Sequence, residues 1–208
     1  MPVPTISEPI LESGDRLSRD EFHRRYCKRA DIKKAELVEG VVYVASPVRI
    51  MVHGQPHGNV IAWLGVYRAR HPELVLGDNT TVILDTQNEV QPDAFLLRVA
   101  TGGPRINEDD YVEGAPQLVV EVAASSASYD LHDKMRAYQR SGVHEYIVWR
   151  VLEGMIDWYR LHDGEYVWVE PDEDGVNESE AFPGLRLDGP KMLAGDLAGV
   201  LAALERRS

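Results

Sequence analysis

The run Leu118-Val119-Val120-Glu121-Val122-Ala123-Ala124 constrains this chain more than any other stretch. It is almost continuously apolar and does not alternate, which is the pattern of a strand covered on both faces. The fold must therefore place a layer on each side of it. Glu121 interrupts the run, and an isolated carboxylate is costly to bury. It must be paired, protonated or bound to a cation. The blander alternative is a strand-end glutamate that reaches solvent or makes a buried salt bridge.

The neighbouring segments define the rest of one domain. Residues 1–17 carry three prolines and no periodicity, and read as an N-terminal arm. Ser18 and Glu21 fit a capping box ahead of a helix with Phe22, Tyr26 and Ala30 on one face. Residues 35–46 read as two strands turning at Glu39-Gly40. Helical spacing over 54–70 is met by Val60, Ile61, Leu64 and Tyr67, or by Val60, Trp63, Leu64 and Tyr67. Strands are expected at 80–85, 91–98, 117–124 and 144–150, with a loop over 99–115. A helix is expected over 129–141, with Asp130 as N-cap and Gly142 as stop. A hairpin over 155–161 and 166–170 turns at Asp163-Gly164, and Leu197, Val200, Leu201 and Leu204 mark a short C-terminal helix. The expected class is α/β (α+β), a mixed central β-sheet flanked by helices. The expected organisation is an arm (1–17), a main domain (18–170), and an acidic loop with a C-terminal helix packed on it (171–208).

Composition narrows the function classes. The chain has 208 residues, 44% hydrophobic and 27% charged, which excludes wholesale disorder. No apolar run is long enough to span a bilayer and nothing at the start reads as a secretion signal, so a cytoplasmic protein with no membrane partner is expected. A single cysteine, Cys27, excludes a disulfide or a cysteine-rich zinc site. A net charge of -12 argues against a nucleic-acid binder, yet the segment Glu153–Glu180 holds ten acidic residues against Arg160 alone. Arg24, Arg25, Lys28, Arg29, Lys33 and Lys34 crowd into eleven positions, as a solvated face or as a strip that meets phosphates.

Asp93, after Pro92, is a second acidic residue at a strand. Pro92 cannot donate a ladder hydrogen bond and so marks a strand start, bulge or edge. Two strand carboxylates can converge on one hard cation, for which Mg²⁺ is the natural choice. A nearby lysine would complete a hydrolytic set, metal and lysine together orienting and deprotonating water and offsetting charge on a phosphorane. Lys134, on the helix after the Glu121 strand, is the candidate; its alternative is an exposed pair with Asp130.

The ordered residues Pro92-Asp93, Glu121-Val122-Ala123, Ser125-Ser126, Tyr129-Asp130, Lys134, Tyr138 and Gly142-Val143-His144-Glu145-Tyr146 resemble the restriction endonuclease (Uma) family, a branch of the PD-(D/E)XK nuclease superfamily. Glu36-Leu37-Val38-Glu39-Gly40, Ser46-Pro47 and His57 resemble its N-terminal signature. The resemblance implies a restriction-endonuclease-like core and a metal-dependent endonuclease acting on DNA. It implies Mg²⁺ (or Mn²⁺) on Asp93, Glu121 and the Val122 backbone carbonyl, and a homodimer. Ala123 stands where the superfamily has lysine, and Lys134 occupies the place of a lysine moved to the following helix. The resemblance also favours Glu36 over the turn residue Glu39 as a further acidic residue of the site; the alternative for Glu36 is a surface glutamate.

His53 and His57 have zinc-pair spacing, but Gly54 and Pro56 between them disfavour a regular helix, so His57 is read as a polar residue at the substrate. Tyr138 is placed to donate to a phosphate or to pack in the core. Ser125 lacks the elbow of a serine hydrolase. A second class of function is a nuclease fold without chemistry that serves as a binding or interaction module, in keeping with Ala123 and the net charge.

Overall fold

The computed structural model describes residues 10–124 and 129–205; residues 1–9 of the expected arm and the Ser125-Ser126 pair lie outside the described residues. The strands, numbered along the chain, are β1 (Ala35–Val38), β2 (Val41–Val44), β3 (Val75–Asp78), β4 (Val82–Ile83), β5 (Glu89–Val90), β6 (Ala94–Leu97) and β7 (Arg105–Ile106). They continue as β8 (Val112–Glu113), β9 (Leu118–Ala123), β10 (Glu145–Arg150), β11 (Met155–His162), β12 (Glu165–Trp168), β13 (Val176–Glu178) and β14 (Arg186–Asp188). The α-helices are α1 (Arg19–Tyr26), α2 (Gln55–Arg70), α3 (Met135–Ser141), α4 (Gly189–Leu193) and α5 (Leu197–Ala203).

Two mixed six-stranded sheets form, ordered β2-β1-β5-β4-β8-β7 and β12-β11-β10-β9-β6-β3, beside a small β13-β14 ladder. In the larger sheet β9 pairs parallel with β10 and antiparallel with β6. All six residues of β9 are buried. Alternation sends them into two different cores. Leu118, Val120 and Val122 join Val60, Trp63 and Leu64 of α2 and Val200 of α5. Val119 and Ala123 join Ala137 and Tyr138 of α3. Glu121 shares the second face by parity, so it points toward the helix that follows its own strand. Of the two apolar sets open for α2, the buried one is Val60, Trp63, Leu64 and Tyr67, and Ile61 is only partly covered. Trp63 and Trp158 meet edge to face at 6.3 Å, an arrangement worth about 1 kcal/mol beyond the area it buries.

Local chemistry accounts for the element ends. Ser18 Oγ accepts from the Glu21 amide at 3.4 Å, but the Glu21 carboxylate turns to Arg24 and Arg25, so only half of a capping box forms. Helix α1 ends at Tyr26, which leaves Ala30 beyond it. Glu39 (φ 53) and Gly40 (φ 74) make the two-residue turn between β1 and β2, as the left-handed positions of such hairpins require. Residues 10–17 are not a free arm: the Gly14 amide donates to Val42 and Leu11 is buried beside Phe22 and Leu37.

Other expectations change. The strand expected over 80–85 shrinks to Val82–Ile83, and the loop over 99–115 contains β7 and β8. Strand β3 carries no alternation and was not expected; its Gly77 lies opposite Phe95, whose ring covers the bare Cα. The acidic segment contains β13, held by Glu178 to Arg186. Asp130 does not cap the helix after β9; it is buried inside a π-helical turn, Asp130–Lys134, that runs into α3.

Candidate active site

The sheet register builds the site. Ala94 lies opposite Val120 and Leu96 opposite Leu118, so one further step sets Asp93 against Glu121. The ladder stops there because Pro92 has no amide hydrogen. Side chains take over from backbone: Asp93 Oδ2 accepts from the Val122 amide at 2.8 Å, and Glu121 Oε2 accepts from the Asp93 amide at 3.4 Å. The Val122 contact with Asp93 is thus through its N–H.

Lys134 reaches the same point from the helical side. Its Nζ lies 2.5 Å from Glu121 Oε1, 2.9 Å from Glu36 Oε1 and 3.9 Å from Asp130 Oδ1. Lys134 and Glu121 are each only 2% exposed. The Gln91 amide donates to Glu36 Oε1 at 2.8 Å, and Tyr138 donates its hydroxyl to Glu121 Oε1 at 2.8 Å. Burial pushes the Glu121 carboxyl up to about 8; Lys134 opposes this, while Asp93 and Asp130 add to it. Burial also works against the Lys134 ammonium, but Glu121, Glu36 and Asp130 together hold its pKa well above the ordinary lysine value. Lys134 is therefore held as a cation among three carboxylates, while burial works to keep a proton on Glu121.

Asp93 is clasped from outside. Lys34 Nζ lies 2.8 Å from its Oδ1 and His53 Nε2 3.3 Å from its Oδ2. Although burial opposes ionisation, these two partners hold the carboxyl well below the usual carboxylate range. His57 Nε2 lies 3.0 Å from the Asp93 carbonyl and 3.1 Å from Asp78 Oδ1, so it fixes the backbone of Asp93.

Two π-helical turns feed this cluster: Ile50–Gly54 delivers His53 and Asp130–Lys134 delivers Lys134. π-Turns concentrate at functional sites because the wide turn re-aims side chains. The turn also carries the helix through Gly54 and Pro56, so His53 and His57 do lie on one helical stretch, 5.7 Å apart between ring centres.

Asp93, Glu121, Glu36 and Lys134 thus converge, with Tyr138 and His57 holding the first two in place. Sequence reasoning missed Lys34 and the role of His53. The available signal for Lys34 was its place two residues before Glu36, at the end of the basic run. Much of that run is neutralised locally, Arg24 and Arg25 by Glu21 and Arg29 by Asp31.

Among the described residues no three His, Cys, Asp or Glu side chains form a ready-made metal cage. The donor chemistry nevertheless suits a hard cation. Four buried carboxylates (Asp93, Glu121, Glu36 and Asp130) face two ammonium groups, Lys34 and Lys134. Fully ionised, the four carboxylates outnumber the two ammonium groups by two charges, and Asp93 and Asp130 add to the burial that raises the Glu121 carboxyl. A divalent ion on oxygen ligands matches both the donor type and the missing charge.

Comparison with known proteins agrees with this fold. A crystal structure of a putative nuclease belonging to DUF820 from Anabaena variabilis superposes with a TM-score of 0.63 at 13% identity, covering 83% of this chain and 97% of that one. No curated protein matches. Among the described residues no helix is long and apolar enough to cross a membrane. Residues 19–189 match the sequence profile of the family described as "Putative restriction endonuclease" (Uma2), so the chain belongs to that family.

Proposed function

We propose that this protein is a divalent-metal-dependent endonuclease that hydrolyses phosphodiester bonds in DNA. The reading rests chiefly on the buried Asp93–Glu121 pair, set side by side where Pro92 ends the ladder and supplied with lysines from two other elements. Asp93 and Glu121 would hold Mg²⁺ or Mn²⁺, with the Val122 carbonyl and Glu36 as further oxygen donors. Such a cation supplies Lewis-acid polarisation of the phosphoryl group and offsets charge on the leaving oxygen.

The chain's own residues divide the remaining work. Lys134, sealed between Glu36 and Glu121, keeps both carboxylates in one place and stays protonated; it positions rather than accepts a proton. Lys34 has a side chain 24% exposed, and its ammonium also lies 3.1 Å from Asn79 Oδ1. It is the cation at the mouth, placed to meet a phosphate oxygen. Tyr138 orients Glu121 and His57 orients the Asp93 backbone.

The test is cleavage of supercoiled and single-stranded DNA with Mg²⁺ or Mn²⁺, beside Asp93→Ala and Lys134→Ala. Loss of cleavage in both variants is expected; equal cleavage by all three proteins would defeat the assignment. A module without chemistry is the second reading, favoured by Ala123 in the usual lysine position, where it is buried in the apolar core. Calorimetric titration separates the two, since a module would lack a Mg²⁺ or Mn²⁺ site that depends on Glu121.

A further inference from the structure

Residues 45–51 are all exposed, and both ends of this segment are tied to partners of Asp93. At one end the Ala45 amide donates to the Lys34 carbonyl at 3.0 Å, and Lys34 reaches Asp93 Oδ1. At the other end the His53 amide donates to the Arg49 carbonyl at 3.1 Å, and His53 reaches Asp93 Oδ2. The segment is therefore a strap clasped on the carboxylate at the centre of the site. Its tip is apolar: Val48 is 69% exposed, and Ile50 and Met51 are each 71% exposed. Arg49 stands exposed between them with no acidic partner among the described residues.

Resting on the phosphodiesterase reading above, we infer that this strap binds the bases of unpaired nucleotides, so that the substrate is a single-stranded or frayed segment of nucleic acid. Phosphate offers nothing to three large apolar side chains. Base faces do, since aliphatic side chains such as Ile and Met pack against the faces of bases that have come unstacked. In an intact duplex those faces are covered by their neighbours, and the grooves present hydrogen-bonding edges with the thymine methyl as their one apolar group. Val48, Ile50 and Met51 have no polar atom with which to read an edge. Arg49 supplies the complementary charge for the phosphate beside the bound base. The contact geometry thus selects nucleotides that have already left the stack.

The experiment is fluorescence anisotropy in EDTA with a fluorescein-labelled oligonucleotide of about 15 nucleotides, single-stranded or annealed to its complement. The single strand is expected to bind about tenfold tighter than the duplex, and the paired change Ile50→Ser with Met51→Ser to remove about tenfold of that affinity. Trp168→Ser, which removes an exposed apolar side chain from β12, serves as the control and should bind as wild type. Met51→Trp should show quenched tryptophan emission on adding the single strand.

Equal binding of both forms, undiminished binding by the serine pair, or no binding at all overturns the inference. So does a wild-type dimer that the serine pair converts to monomer in sedimentation, because a second copy would then cover the tip. Cleavage is scored separately. Single-strand binding without metal-dependent cleavage sinks the hydrolase reading alone, and cleavage of duplex that ignores the tip changes sinks the strap alone.

Discussion

Lys134 Nζ and Glu121 Oε1 lie 2.5 Å apart in a place almost sealed from solvent, yet burial pushes the Glu121 carboxyl up to about 8. Burial outweighs the attraction of one ammonium that Glu36 and Asp130 already share. The native state therefore prefers Glu121 protonated, whereas the unfolded chain ionises it near 4.5.

The consequence is a pH dependence of defined sign. A group whose folded pKa is raised contributes stability below its unfolded pKa and loses it as pH rises through the folded value. In EDTA the melting temperature should fall as pH rises from 4.5 to about 8. Asp93, held low, and Lys134, held high, do not titrate in that window. Thermal melts of Glu121→Gln should lose this slope; an unchanged slope would place its origin elsewhere.

A divalent ion should reverse the trend. A ligand that binds only the native state stabilises it by mass action, by about 2.7 kcal/mol at a hundred times its Kd. Melts at pH 8 with Mn²⁺ should rise for wild type and stay flat for Asp93→Asn. A rise of equal size in the variant would move the ion away from Asp93.

Removing Lys134 strands its carboxylates. Breaking a buried pair by deleting one partner costs about 3–5 kcal/mol. Lys134→Met should lose that much in urea titration at neutral pH, and adding Glu36→Gln should recover part of it. Independent, additive losses would show that the three groups do not share one charge balance.

Gly77 tests the packing beneath the site. A Cβ there would fall 2.0 Å from Phe95 Cζ, inside the ring. Gly77→Ala should destabilise the fold by about 1–3 kcal/mol, the usual cost of overpacking. Phe95 lies two residues from Asp93, so cleavage should fall with it. Wild-type stability in Gly77→Ala would mean that the ring moves aside freely.

Lys34→Ala should keep the fold, since the side chain lies at the mouth, and should lower cleavage chiefly through kcat if its ammonium meets developing charge on the phosphate. A change confined to KM would make it a docking cation.

Much of this was legible in the sequence because the relevant signals are local. The apolar run around Glu121 gave away a strand buried on both faces, and Glu39-Gly40 and Asp163-Gly164 gave away hairpins whose left-handed positions are observed. Chemistry left the pairing of Asp93 with Glu121 open, since two strand carboxylates can converge on one cation, and the family resemblance singled out both. What stayed hidden is long-range. Lys34 meets Asp93 across 59 positions of sequence, and a lysine at the end of a basic run gives no sign of that partner. Strand β3 hid because Gly77 breaks the pattern of a strand to make room for Phe95. Asp130 read as a cap because residue type alone does not distinguish a helix start from a wide turn.

The two π-helical turns have an evolutionary reading. Each spends one residue more than an ordinary turn, and a residue is about 100° of helix. Deleting a single codon within Asp130–Lys134 would swing the lysine about a quarter-turn off Glu121, and a deletion within Ile50–Gly54 would do the same to His53. A lysine borne on a helix can thus be gained or lost by a change of length with no substitution at all. Among relatives, a one-residue insertion or deletion at either turn should therefore separate chains that cut from chains that do not, even where every acidic residue of the site is kept.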